Sequence, residues 1–415
     1  MYEVEVMFGD CDPAGIVFFP NFSKWMDASS LNFFVKCGVP PWRELVKTTG
    51  IIGTPLLEIH TKFMRPATYG ERLQVHTSIA EWREKVVIQK QASLVVASYN
   101  HANFLSRRMD SLVGQTYADV DILVIDDKSP DNSVEILQLY SSQPRVRLVL
   151  REENGGWVTV SNQGVDMSCG EYVLFANCDD DCDPRMVQRL VDALQRHPTA
   201  GIAFCRSWMV DEQDRVLGDD FSIREGKFRE RCSNDTLLSG QEVSRFLLHS
   251  CVIPNLSAAL FRRECFEKVG KLSSAYRVCC DWDLFFRVAA EYDVAYVSEP
   301  LNRFRQHQQT IRSVTKEKVV YEEYFRLLLG EIRRLDLSLV ERARYRTHVM
   351  YLWTVHLFSP SSNGVLNLPY HLRCVIRLDA LALMFFIPAC FVRAGELAIK
   401  AFRKLNSVIA KRVSA

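Results

Sequence analysis

The chain has 415 residues, with 51 Lys and Arg against 50 Asp and Glu, so its net charge is +1. That balance supplies no global basic field for nucleic acid, and the length makes two or three domains. Thirteen cysteines without a CxxC pair, and no signal-peptide pattern at the N-terminus, lead to an expectation of reduced thiols and a cytoplasmic protein.

The first ninety residues open on Phe8-Gly-Asp10-Cys-Asp12-Pro-Ala-Gly15, a Gly/Pro-rich loop ahead of a helical pattern from Ser23 to Val35. This loop, Cys37-Gly-Val-Pro-Pro-Trp-Arg43, Gly50-Ile-Ile-Gly-Thr-Pro55 and Glu81-Trp-Arg83-Glu84-Lys85 through Lys90 resemble the 4-hydroxybenzoyl-CoA thioesterases of the hotdog fold. The resemblance implies that Asp12 is the catalytic carboxylate, nucleophile or base on a thioester carbonyl, and that Arg83 and Lys85 face CoA phosphates. Glu84 departs from the family's basic pattern and weakens that site. The resemblance stops after Lys90, where about half of the hotdog sheet has yet to come, and such a truncation exposes strand edges and a helix face. The expectation is an incomplete α+β hotdog segment over 1–90, fused to a second, larger domain. It would serve as an acyl-CoA thioesterase or, without activity, as a module for homodimer formation.

From residue 91 the pattern changes. Ala92-Ser-Leu-Val-Val-Ala-Ser-Tyr99-Asn100 is an apolar run ending in polar residues, followed by a helical pattern from Phe104 to Val113. Asp121-Ile-Leu-Val-Ile-Asp126-Asp127 precedes a helix over Ser133 to Tyr140. Arg145 to Asn154 is a third strand and Glu171 to Ala176 a fourth. Strands alternating with helices at this spacing make an α/β, mostly parallel sheet covered on both faces, and ligands bind beyond the carboxyl ends of its strands. Those ends carry Asn100, Asp126, Asp127, Asn154 and the run Asp179-Asp180-Asp181.

Three adjacent carboxylates repel one another. They suit either a hard divalent cation such as Mg²⁺ or Mn²⁺ or a solvated helix N-terminus, whose dipole acidic residues complement. In order along the chain, Val95-Val-Ala-Ser-Tyr99-Asn100, Asp126-Asp-Lys-Ser-Pro-Asp131, Asn154-Gly155-Gly156 with Ser161-Asn162-Gln-Gly164, Asp179-Asp-Asp181, Cys280-Asp281-Trp-Asp283 and Arg303-Phe-Arg-Gln-His307 resemble the family 2 glycosyltransferases of the GT-A fold. The likeness runs from Ser93 to His307 and implies a domain over 91–312. It places Tyr99, Asn100, Asp126, Asp127, Asn154, Gly155, Asn162 and Asp179 around a nucleotide-sugar, and Mn²⁺ or Mg²⁺ on the D-x-D run. Asn177 stands where many members have Asp, which leaves open which of Asp179, Asp180 and Asp181 touches the metal. Cys280 replaces a Glu that often precedes the base. Asp281 is the implied base of an inverting transfer to a saccharide or lipid-linked acceptor, although an Asp ahead of Leu284, Phe285 and Val288 also reads as a helix cap. Asp283 reads as its cap or supporting partner. His307 is either a metal or phosphate contact, or one member of a basic loop with Arg303 and Arg305.

Residues 313–415 are helical in pattern, over Lys316 to Leu335 and Ser338 to Leu357. Ala380 to Val392 is apolar on all sides but shorter than a bilayer span. It is followed by Arg393, Lys400, Arg403, Lys404, Lys411 and Arg412. Such a pairing fits either packing on the catalytic domain or a peripheral position in the interface of an anionic membrane, the inner face of the cell membrane.

Overall fold

The computed structural model describes residues 91–307, 310–358 and 365–396, and in the N-terminal part residues 2–11, 17, several positions between 21 and 36, and 67–75. Asp12, Arg83, Glu84, Lys85 and most of the expected helix from Ser23 to Val35 lie outside the described residues. The chain divides into two compact units, Met1–Ile88 and Gln89–Ala415.

In the first unit, β1 (Tyr2–Glu5) pairs antiparallel with β2 (Arg72–Val75), Tyr2 opposite Val75 and Glu5 opposite Arg72. Val6, Val17 and Ala67 form a small core joined by Phe22, Trp25 and Leu73.

The second unit is built on a ten-stranded sheet. Its strands are β3 (Ala92–Ser98), β4 (Val120–Asp126), β5 (Val146–Leu150), β6 (Tyr172–Phe175), β7 (Asp181–Cys182), β8 (Ala200–Val210), β9 (Val216–Asp219), β10 (Thr236–Leu238), β11 (Ala259–Arg262) and β12 (Asp293–Arg305). The main path runs β10-β12-β8-β11-β6-β3-β4-β5, with β7 beside β12 and β9 beside β8. The four strands expected from the sequence pair in parallel. Beyond them β11 runs antiparallel to β6 and β8, so the sheet is mixed.

Side chains in β3 alternate between the two faces, as strand geometry requires. Val95 joins a core with Val173, Phe175, Phe204 and Phe261. Leu94 and Val96 join Ile122, Val124 and Leu174 on the other face. Both faces being covered, the strand reads as a continuous apolar run. The helix Trp157–Met167 lies so close to β3 that a Cβ on Gly164 would sit 2.1 Å from Val95 Cγ1. Gly164→Ala is therefore expected to destabilise the second unit by about 1–3 kcal/mol through overpacking. Thermal unfolding checks this, and a melting temperature at or above wild type contradicts it.

β12 is thirteen residues long. It runs parallel to β8 with register shifts around Pro300 and Asn302. Pro lacks the N–H a ladder needs and is tolerated at such bulges. The irregularity bends the strand and delivers Asn302, Arg303, Arg305 and the following His307 to the rim.

The C-terminal helices Glu317–Arg334 and Leu339–Leu357 belong to the same unit, contributing Phe325, Leu328, Ile332 and Trp353 to the larger core. Leu368–Glu396 is the one helical stretch among the described residues long and apolar enough to cross a membrane by length and composition, and 22% of its apolar window is buried. Asp379 interrupts it, at φ −158° and ψ 87°, with its carboxylate 2.8 Å from Arg346 Nε. The twelve residues before that break rise only about 18 Å as a helix.

Candidate active site

The turn after β3 is shaped by Asn100, at φ +56°. Asn tolerates this left-handed region better than most residues. Asn100 N–H donates to Ser129 Oγ at 3.1 Å. Ser129 in turn donates from its N–H and its hydroxyl to the two Asp126 carboxylate oxygens, at 2.8 and 2.7 Å. Ala102 N–H donates to Asp131 at 3.0 Å. The turn carrying Tyr99 and Asn100 is thus latched to the acidic turn after β4, and Tyr99 is left exposed.

Asp127 is committed inside the protein. Its Oδ1 accepts from Arg151 at 2.9 Å and from Gly155 N–H at 2.8 Å, and its Oδ2 accepts from Gly156 N–H at 2.8 Å. Asn154 donates to the Asp127 carbonyl at 3.2 Å. A Cβ on Gly155 would lie 2.4 Å from the Arg151 guanidinium, so a side chain there would push that arginine away from Asp127. Asn162 is likewise occupied, its amide bonded to both N–H and C=O of Leu272 at 3.0 and 2.8 Å. Asp127, Asn154 and Asn162 build the rim; Asn100 and Tyr99 sit on its exposed turn, whereas Asp126 is buried.

The three adjacent carboxylates have three different surroundings. Asp180 is buried; Oδ1 accepts from Arg305 N–H at 2.9 Å and Oδ2 from Asn255 Nδ2 at 2.7 Å. Burial, followed by the charge of Asp179, pushes its carboxyl up to about 7, against the pull of Arg108. Asp181 meets Arg303 at 3.2 Å and Arg305 at 3.0 Å. Burial raises its carboxyl above the ordinary value, with both arginines opposing. Behind the cluster the Arg108 guanidinium is fully buried, and none of its nitrogens has a hydrogen-bond partner among the described residues. Within the run, Asp181 is thus paired with two guanidinium groups, and Asp180 is held by two neutral donors with the Arg108 charge nearby.

Asp179 faces imidazoles instead. Its Oδ2 is 2.9 Å from His307 Nε2. Donor atoms of His101, Asp179 and His307 all lie within 4.8 Å of one another. Burial raises the Asp179 carboxyl, but the His307 hydrogen bond and the charges of both histidines outweigh it, and the net direction is downward. The bond to Asp179 in turn raises His307 above the usual histidine value. Two imidazoles and a carboxylate fit a divalent transition ion. Cys178 does not join them: it is buried, its thiol donates to the Ala97 carbonyl at 3.1 Å, and burial pushes its pKa up to about 12.

Asp281 lies in the first turn of the helix Cys280–Ala289, whose N-cap is Cys279. Its Oδ1 accepts from Trp282 N–H at 2.7 Å. Burial raises its carboxyl above the ordinary value, while the hydrogen bond from Trp282 and the Arg312 charge lower it. Asp283 forms an ion pair with Arg287 at 2.8 Å on the same helix. The segment entering this helix is held from the C-terminal region. Glu323 accepts from the N–H groups of Arg277, Val278 and Cys279 at 2.8, 2.8 and 3.1 Å. Neither Glu323 nor His101 was marked by the sequence, because each is a lone residue whose role depends on a distant segment. The only local sign for His101 is its position directly after a strand end on the binding rim.

The family described as Glycosyl transferase family 2 matches residues 93–270. Over these residues the chain is similar to family 2 glycosyltransferases. The Thioesterase-like superfamily matches residues 6–108. Residues 93–108 are shared by both matches, and the structure places them in the second unit, as β3 and the start of the helix after it. The N-terminal part is 49% identical over 87 residues to the 4-hydroxybenzoyl-CoA thioesterase of Pseudomonas sp. (strain CBS-3), covering 21% of this chain and 62% of that enzyme. An uncharacterized glycosyltransferase of Nostoc sp. (strain PCC 7120) is 26% identical over 299 residues, covering 67% of this chain and 89% of the relative. Among solved structures, S. aureus TarS 1-349 in complex with UDP-GlcNAc superposes with a TM-score of 0.54 at 17% identity, covering 72% of this chain and 89% of that one. That likeness shows the GT-A fold. The protein is a glycosyltransferase with a thioesterase-like N-terminal segment.

Proposed function

We propose that the second unit moves a sugar from a nucleotide-sugar donor to an acceptor hydroxyl with the help of a divalent ion. The observation that carries this reading is Asp179, the one carboxylate of the acidic run that faces two imidazoles instead of protein cations. Asp179 and His307 would hold the ion, which neutralises charge building on the diphosphate leaving group. Tyr99 and Asn100 would receive the nucleotide, on a turn that Asp126 holds through Ser129. Asp281 would take the acceptor's proton as its oxygen bonds to the anomeric carbon and the bond from that carbon to the diphosphate breaks. A single displacement of this kind inverts the anomeric centre. The names of the relatives fit a donor of this class; the donor sugar and the saccharide or lipid-linked acceptor follow from assay.

The first unit carries only part of a thioesterase, and this chain spans 62% of the related enzyme. A carboxylate such as Asp12 acts only on a carbonyl held beside it, and a misplacement of about 1 Å costs on the order of a hundredfold. The full chain, incubated with a panel of nucleotide sugars and a panel of acyl-CoAs, is expected to consume one of the former and to leave 4-hydroxybenzoyl-CoA at the background rate. Removal of residues 1–88 is expected to preserve sugar transfer. Thioester hydrolysis that disappears in Asp12→Asn makes the protein bifunctional and overturns this assignment. Loss of transfer on removing the segment gives it a structural role such as dimerisation.

The C-terminal face supports a peripheral membrane position. Leu372, Ile376, Leu381, Met384, Ile387 and Phe391 are exposed, with Arg373 and Arg377 among them. The break at Asp379 divides the stretch into pieces too short to span, which suits a helix lying in the interface. Vesicles containing about one-third anionic lipid are expected to sediment the protein, and neutral vesicles to do so at least tenfold less well, since each surface basic residue contributes about 1 kcal/mol. Equal recovery in the supernatant with both vesicle types contradicts this position.

A further inference from the structure

We infer that His101 is a third protein ligand of the ion held by Asp179 and His307, so that the site has two imidazoles and one carboxylate. The inference rests on the proposed ion at Asp179. His101 is the N-cap residue of the helix Ala102–Val113, yet its side chain makes no capping hydrogen bond. The ring instead donates from Nδ1 to the Tyr99 carbonyl at 2.6 Å. Histidines that ligate metals commonly donate their other N–H to a backbone carbonyl, which fixes the tautomer and leaves the Nε2 lone pair for the ion. The His101 ring stands edge-on to that of His307, with centroids 6.2 Å apart, and its donor atom lies within 4.8 Å of those of Asp179 and His307. Two donors each about 2.1 Å from one ion are at most about 4.2 Å apart, so a small side-chain adjustment closes the set. The turn bearing His101 is already fixed, by Asn100 N–H on Ser129 and Ala102 N–H on Asp131. His101 thus comes from the turn after the first strand of the sheet, and His307 from the segment after the last.

The donor set changes the choice of ion. Carboxylates and waters suit Mg²⁺, whereas imidazole favours transition ions. Wild-type protein is expected to bind Mn²⁺ at least about tenfold more tightly than Mg²⁺, and His101→Asn to lose about tenfold or more in Mn²⁺ affinity with Mg²⁺ affinity little changed. Asn is itself a favoured N-cap, and equal thermal unfolding of the two proteins establishes that the variant is folded. Electron spin-echo modulation of bound Mn²⁺, without substrate, counts directly coordinated imidazole nitrogens. Two in wild type and one in His101→Asn support the assignment. One in both proteins, with Asp179→Asn still abolishing Mn²⁺ binding, removes His101 from the site and leaves the Asp179 ion in place. Full Mn²⁺ affinity in Asp179→Asn overturns the ion itself, and this inference with it.

Discussion

Asp281→Asn is expected to leave donor binding near wild type and to lower turnover by at least about a hundredfold, the scale on which a general base acts. The amide keeps the shape of the side chain and can still accept from Trp282 N–H, so the helix Cys280–Ala289 loses little. It cannot take a proton from the acceptor. The pH profile separates this role from capping. The working form is the carboxylate, so activity falls as pH drops through its pKa. Burial raises that pKa above the ordinary 3.8, and Arg312 opposes the rise. The acid limb of kcat/KM is therefore expected above pH 3.8, and Arg312→Gln is expected to move it further toward neutrality. A folded Asp281→Asn protein that turns over normally, or an acid limb indifferent to Arg312, assigns Asp281 to the helix end alone.

Asp179→Asn is expected to weaken Mn²⁺-dependent nucleotide-sugar binding by more than about a hundredfold. Loss of a group that merely supports a ligand already costs about 10–100-fold, and here the ligand and its charge both go. Its neighbours should behave differently. Asp181→Asn breaks contacts to Arg303 and Arg305. Arg305 is 1% exposed and keeps a second partner in Asp214 at 2.7 Å, so the cost is expected in stability, on the order of 2–3 kcal/mol. Isothermal titration with Mn²⁺, paired with thermal unfolding, reads both quantities. Unchanged affinity in Asp179→Asn, with or without chelator, returns the acidic run to a helix-end arrangement.

The parallel half of the sheet was legible because β3, β4 and β6 are buried on both sides and read as unbroken apolar runs with polar ends. The antiparallel β11 was not, because Ala259–Arg262 is four residues long and has no period of its own. The acidic run announced a site, but not which member serves it. What differs among its members comes from Asn255 and Arg305, which arrive from 75 and 125 residues away to occupy Asp180. The family pattern implies that Asp127 and Asn162 lie around a nucleotide-sugar, yet their polar atoms bond to Gly155, Gly156 and Leu272. A motif marks that a polar residue is needed, and only the fold tells whether it holds a ligand or the loop that does. The apolar segment after Ala380 illustrates the same limit, since Asp379, where the helix breaks, pairs with Arg346 in another helix.

The grip of Glu323 on Arg277, Val278 and Cys279 sets where this enzyme can be cut. The family match ends at residue 270, before Asp281. A fragment ending at 312 would include Asp281 but release three N–H groups from one carboxylate, each worth about 1–3 kcal/mol where burial denies it water. The smallest transplantable piece therefore extends through the helix Glu317–Arg334 and the partners that bury its Phe325 and Ile332. Grafting this sheet onto another acceptor-binding module requires carrying those helices along, and a chimaera joined between Arg305 and Glu323 severs the contacts that hold the segment leading into Asp281.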